Sequence, residues 1–246
     1  MILTLGALIE IQDLGEKIHT FKNWGCAIGN NNYIGEPETE TYYIDIPGAD
    51  GFLDGSEALT GRPIYKSRPI NILLGGKKPR DEWDDFISSI RNKIHGRIIK
   101  ITFDNDTGFY YTGRGYIKDF NRNREIGQFY LSIPKADPYK YSVTDSLDDW
   151  LWDPFDFETG IIDEGANISV SGEMKYIISA SGGPFVPVFN VKNILSAGLQ
   201  IEYSGKTRTL TIGRNRFPDI VVYKSDVTII LKGAGTLNIE YRRGSL

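Results

Sequence analysis

Residues 97–120, RIIKITFDNDTGFYYTGRGYIKDF, decide the fold class. Two runs rich in Ile, Thr, Phe and Tyr, 97–103 and 109–120, flank Asp104-Asn105-Asp106-Thr107-Gly108. Asn, Asp and Gly tolerate a reversal of the chain, and β-branched and aromatic residues suit a pleated surface, so the pattern predicts a β-hairpin. Working outward, the same signal recurs near 2–11, 17–22, 40–46, 68–74 and 125–133. Toward the C-terminus it returns near 167–171, 174–180, 185–191, 199–204, 207–212, 219–223, 227–232 and 236–242. With 27 glycines and 11 prolines dividing 246 residues, the chain reads as mainly β, built from short strands and turns. In the second half, Ser204-Gly205-Lys206 and Gly233-Ala234-Gly235 look like turns, and eight short strands there suggest a β-sandwich.

One segment breaks the pattern. Between Pro79 and Gly96, apolar residues fall at Trp83, Phe86, Ile87, Ile90 and Ile94, spacings of three and four that make one helical stripe. Asp81, Glu82, Asp84 and Asp85 sit at the positive end of the expected dipole, with Arg91, Lys93 and His95 at the other. Pro79 suits the first turn and Gly96 the left-handed stop. A helix is predicted there.

Composition narrows the function. A net charge of −4 opposes a general nucleic-acid binder, which needs a basic face to displace counterions from phosphate. Residues 1–136 are nearly neutral, with 17 basic and 18 acidic side chains. Residues 145–164 hold eight Asp or Glu and no Lys or Arg, whereas from 165 onward ten basic side chains face five acidic ones. That shift reads as a boundary region before a second domain, or as a solvated acidic loop. With the first domain closing after Pro134–Pro138, at the ADPYKY segment 136–141, the expected division is an N-terminal domain at 1–141, an acidic aromatic linker at 142–164 and a C-terminal domain at 165–246. Cys26 is the single cysteine, which excludes an intramolecular disulfide. No apolar run approaches the ~20 residues of a membrane span. The start, MILTLGALIEIQDLGEKIHT, reads as a first strand with no export signal, so folding in a cytoplasm is expected.

The search for chemistry returns no catalytic, cofactor or metal set. His19 and His95 are the only histidines, so with Cys26 they provide no four-ligand zinc site. Cys26 could pair with a histidine as a nucleophile, but nothing local supports it. Asp104 and Asp106 are the closest carboxylate pair that could hydrolyse a glycoside, yet a hairpin tip uses Asp and Asn for turn geometry. The expectation is no enzyme. Trp150, Trp152 and Phe155, lying among carboxylates, could hold a sugar ring or staple the linker to a neighbouring surface, each burying ~150–250 Å². The alternative to a structural role is therefore a carbohydrate-binding protein that contacts host cell-wall polysaccharide.

Residues 44–54, IDIPGADGFLD, followed by EALTG at 57–61 and Tyr65, resemble the N-terminal domain of siphophage distal tail (Dit) proteins. Many members carry V-D-I-P-G-R-D-G-x-L-D there, so Ala49 stands where they have Arg. ADPYKY at 136–141 is similar to the segment that closes that domain, and EYRRGSL at 240–246 to the family's ending. The resemblance implies an N-terminal β-sandwich with one α-helix that forms a hexameric ring around a channel, and a C-terminal galectin-like β-sandwich projecting outward. It further implies a virion protein of the tail tip, assembled in host cytoplasm. Its implied partners are further copies of itself, the major tail-tube protein, the tail-associated hub protein and a receptor-binding or baseplate protein. DNA meets it only in passage, and no membrane or cofactor is involved. Closing a ring requires an exposed element for a head-to-tail contact. Residues 47–63 read as a long irregular loop, a kind that often makes contacts, and both it and the polar stretch 28–41 are expected at subunit contacts. Ile46, Pro47, Gly48, Asp50, Gly51, Leu53 and Asp54 are accordingly expected at a subunit contact.

Overall fold

The computed structural model describes residues 6–148 and 165–246, so Trp150, Trp152 and Phe155 lie outside the described residues. The chain divides into two compact units, Met1–Lys140 and Tyr141–Leu246. Both are mainly β, and one α-helix is found among the described residues.

In the first unit the strands are β1 (Ala7–Ile11), β2 (Glu16–His19), β3 (Cys26–Ile28), β4 (Tyr33–Ile34), β5 (Tyr43–Asp45), β6 (Phe52–Asp54) and β7 (Arg68–Lys77). After helix α1 (Glu82–Ile94) come β8 (Ile98–Phe103), β9 (Asp106–Arg114), β10 (Tyr116–Asn123) and β11 (Ile126–Ala136). One sheet runs β9-β8-β1-β2. The other runs β10-β11-β7-β3, with β4 also paired to β7. Alternate residues from both face a shared core: Ala7, Ile9 and Ile11 from β1, Ile99 and Ile101 from β8, Ile70, Ile72 and Leu74 from β7, Phe129, Leu131 and Ile133 from β11. That period of two on both sheets makes the unit a sandwich. Of the hairpin expected at 97–120, β8 and β9 form the two arms, with the reversal confined to Asp104-Asn105 because Asp106 already pairs with Phe103. The second run is not one strand, since it breaks at Gly115 and Tyr116 onward is β10 of the other sheet.

The helix forms where its stripe predicts it. Trp83, Ile87, Ile90 and Ile94 are buried, and Gly96 takes φ +80° just beyond it. Trp83 settles the docking. Its indole N–H donates to the Glu125 carbonyl at 2.9 Å, and its ring covers Gly127, where a Cβ would meet the indole at 2.6 Å. Phe86 packs edge-on to Trp83, Trp24 and Phe129 at centroid distances of 5.5, 6.4 and 6.4 Å.

The second unit holds β12 (Lys140–Ser142, which begins one residue before the unit), β13 (Ile168–Ile178), β14 (Val188–Tyr203), β15 (Lys206–Thr209), β16 (Gly213–Arg216), β17 (Val227–Glu240) and β18 (Gly244–Ser245). Its main sheet runs β13-β17-β14-β15, with β16 also on β14. Three pairs of strands expected as separate are each one long strand. Gly233-Ala234-Gly235 is not a turn: β17 continues through it, and its inward row runs unbroken through Val227, Ile229, Leu231, Leu237 and Ile239. The reason is close backbone approach. A Cβ on Gly233, whose φ is +113°, would lie 2.1 Å from the Gly198 carbonyl oxygen, and one on Gly235 2.5 Å from that of Asn193. Glycine in a strand marks such a bulge as readily as it marks a turn. Ser204-Gly205, by contrast, is a true two-residue reversal between β14 and β15. The strand expected at 219–223 is reduced to isolated bridges; Ile220 and Val222 still enter the core. Ser146 is buried in this unit, donating to the Ile239 carbonyl and accepting from the Tyr241 N–H at 2.8 and 2.9 Å.

Two substitutions test these seats. Trp83→Ala should lower unfolding free energy by about 3–5 kcal/mol in urea titration. Gly233→Ala should cost about 1–3 kcal/mol from strain and displaced backbone. Gly108→Ala, where a Cβ meets nothing within 4 Å, should stay within about 0.5 kcal/mol of wild type.

Candidate functional site

The first part of the segment expected as an irregular loop, 47–63, closes a β-hairpin whose first strand lies in the stretch 40–46 expected as a strand, and the rest stays irregular. β5 and β6 pair through Tyr43↔Asp54, Ile44↔Leu53 and Asp45↔Phe52 and form a sheet of their own. Pairing places Ile44 and Leu53 on one face; Tyr43 and Phe52, diagonal across the ladder, meet on the other with centroids 4.3 Å apart. Between the strands, Ile46–Gly51 make the tip: the Ala49 N–H donates to the Ile46 carbonyl at 3.1 Å, and Gly48 and Gly51 both take φ +81°. At the base, the Gly55 N–H donates to the Tyr42 carbonyl and the Tyr42 N–H to the Ser56 hydroxyl, at 2.9 and 2.8 Å. Hydrogen bonds from the Ser56 hydroxyl and N–H hold the exposed Asp54 carboxyl below its ordinary range. The DGFLDGS stretch is thus a hairpin with its own internal brace.

What the hairpin lacks is a cover. Tyr42, Tyr43, Ile44, Ile46, Phe52 and Leu53 are all exposed, Phe52 at 60% and Leu53 at 53%, and Leu59 just beyond them is fully exposed. All seven residues expected at a contact, Ile46, Pro47, Gly48, Asp50, Gly51, Leu53 and Asp54, lie exposed on this one element. A two-stranded hairpin is marginal by itself, and a concentrated apolar patch on an otherwise soluble surface marks an interaction site. Part of the polar stretch 28–41, also expected at a contact, is bonded within its own unit. Asn32 accepts from the Leu73 N–H at 2.9 Å, Asn31 donates to the Tyr130 hydroxyl at 2.9 Å, and β4 pairs with β7, so this stretch caps the edge of the second sheet.

The groups weighed for chemistry are occupied structurally. Asp104 accepts from the Gly6 N–H at 2.8 Å and lies 3.0 Å from His19 Nε2. His19 Nδ1 accepts from the N–H groups of Phe21 and Lys22, both at 3.2 Å. Nε2 therefore carries the proton, and the pair resembles a catalytic His–Asp dyad whose working nitrogen is blocked by backbone. Asp106 pairs with Lys140 at 2.7 Å. Burial pushes the Cys26 thiol up to about 11, which suppresses the reactive thiolate. His95 packs edge-on against Tyr116 at 5.0 Å. Among the described residues no cluster of three His, Cys, Asp or Glu could hold a metal, and no helix is long and apolar enough to cross a membrane.

No family model matches the chain, and no curated protein matches it in sequence. In three dimensions it is similar to the Dit protein (gp19.1) of phage SPP1, described as a paradigm of the hub adsorption apparatus in phages that infect Gram-positive hosts. Identity is 11%, the TM-score is 0.55, and the match covers 97% of this chain and 98% of that one. The likeness runs nearly end to end, through both units, and the chain shares its fold with a phage Dit protein.

Proposed function

We propose that the protein is a structural component of a siphophage tail tip, built as a hexameric ring between the tail tube and the tail-associated hub protein. In this reading the first unit makes the ring and the second, galectin-like in shape, holds a receptor-binding or baseplate protein. The ring surrounds a channel through which DNA passes, and the protein belongs to the virion after assembly in host cytoplasm. The observation that carries the reading is the uncovered hairpin on a chain whose fold is that of a phage Dit protein. Burying a side chain such as Phe52 or Leu53 contributes about 1.5–3 kcal/mol, so several together can offset the ordering cost of association, an estimated ~4–15 kcal/mol. A hairpin seated on a different surface of the next copy makes a heterologous contact, and six such contacts close a ring when the rotation per step is sixty degrees.

The double substitution Phe52→Ser, Leu53→Ser tests this. Both side chains are exposed, so unfolding free energy should stay within about 0.5 kcal/mol of wild type. Light scattering and negative-stain microscopy should show six-membered rings for the wild type and single copies for the variant. Rings that persist in the variant, or a wild type that never exceeds one copy, would overturn the proposal.

A further inference from the structure

β7 carries a charge where its pattern calls for an apolar residue. Arg68 stands in the same inward register as Ile70, Ile72 and Leu74 and is only 5% exposed. Its guanidinium lies over the Tyr111 ring, 5.6 Å from the centroid. Among the described residues it makes no ion pair and no hydrogen bond, and Nε is shielded without a partner. The aromatic face compensates so covered a cation only in part. Lys100, Lys140 and Arg122, elsewhere in this unit and each more exposed than Arg68, all have a carboxylate. Arg68 does not.

A carboxylate without a cation lies at the far end of the element that starts beside it. The hairpin's base adjoins β7: Thr39 bridges Tyr65, and the Lys66 N–H donates to the Glu38 carbonyl at 2.8 Å. From that base, Tyr42–Ile46 extend roughly 15 Å at ~3.3 Å per residue. At the tip, Asp50 is exposed and, among the described residues, makes no hydrogen bond or ion pair. One protomer thus carries an anion at the tip of an exposed arm and, near the arm's root, a nearly covered cation with no partner among the described residues, two separate places, as a head-to-tail contact requires.

We infer that Arg68 receives a carboxylate from a second copy of the chain, and that Asp50 at the hairpin tip supplies it. The inference rests on the ring reading. Two carboxylate oxygens match the fork of a guanidinium, and a cation so nearly covered admits one side chain rather than a polymer.

Sedimentation of wild type, Asp50→Asn, Arg68→Leu and the double variant tests the pair. Each single substitution should weaken self-association about tenfold, the loss of one charged hydrogen bond. The double should be no weaker than the worse single. Arg68→Leu should melt no lower than wild type when both are single copies, since it removes an unpaired buried charge. Single variants that associate like wild type, or losses that add, overturn the pairing and leave the ring reading standing. If the wild type stays a single copy, the ring reading falls instead. Melting in sodium acetate against sodium chloride at equal ionic strength then decides the receptor. A rise in wild type that Arg68→Leu lacks keeps Arg68 as a carboxylate site, and equal responses remove it.

Discussion

The seat of Trp83 on Gly127 is the constraint around which the first unit is organised. An indole can lie flat on a strand only where no Cβ intervenes, and the 2.6 Å separation leaves no room for one. The Nε1 bond to the Glu125 carbonyl fixes the ring's direction, which sets the azimuth of the helix and brings Ile87, Ile90 and Ile94 onto the core. Phe86 then fills the gap to Trp24 and Phe129, with the Lys78 ammonium 4.1 Å above its ring centroid. A helix locked this way completes the core without help from the hairpin. That is why β5 and β6 can stand apart from both main sheets with their apolar residues unburied.

The second unit solves a different problem by the same means. Its central strands are long, 14 residues in β17 and 16 in β14, and long paired strands must twist or bulge to keep one face inward. The bulges fall where glycine lets backbones touch: Gly233 against Gly198 and Gly235 against Asn193. Register shifts in the β14–β17 ladder occur at the same places, between Val191 and Asn193 and between Ile194 and Leu199. Ser146 then ties residues before the sheet to its last long strand by bonding Ile239 and Tyr241 at once.

These devices divide into those a sequence displays and those it hides. The helix is visible because its period is local, and the β8–β9 hairpin because its turn residues are diagnostic. Glycine is ambiguous by nature: Ser204-Gly205 and Gly233-Ala234-Gly235 look alike, and only the partner strand decides between a turn and a bulge. The first strand of the β5–β6 hairpin is legible within 40–46 and the second is not, because neither face is buried and no alternation of apolar and polar residues results. The Trp83–Gly127 seat joins residues 44 apart and leaves no local mark. Arg68 does leave one. In RPINILLGGK it occupies the first inward place of an alternating strand, and a charge in that register is a signal that the core itself cannot answer it.

The apolar hairpin and the unpaired charges have different physical uses. Hydrophobic burial is strong and indifferent to direction, so a patch such as Tyr43, Phe52 and Leu53 favours any apolar surface it meets. Self-complementary stickiness of that kind would join hairpin to hairpin and stop at a pair. A charged tip and a charged root of opposite sign change the outcome, because two tips brought together place two Asp50 carboxylates near one another, while a tip brought to a root neutralises both groups. Like charges opposed across an interface cost several kcal/mol. In the proposed ring, direction is therefore imposed by the weaker interaction on the stronger one, the Asp50 tip of each copy meeting the Arg68 root of the next.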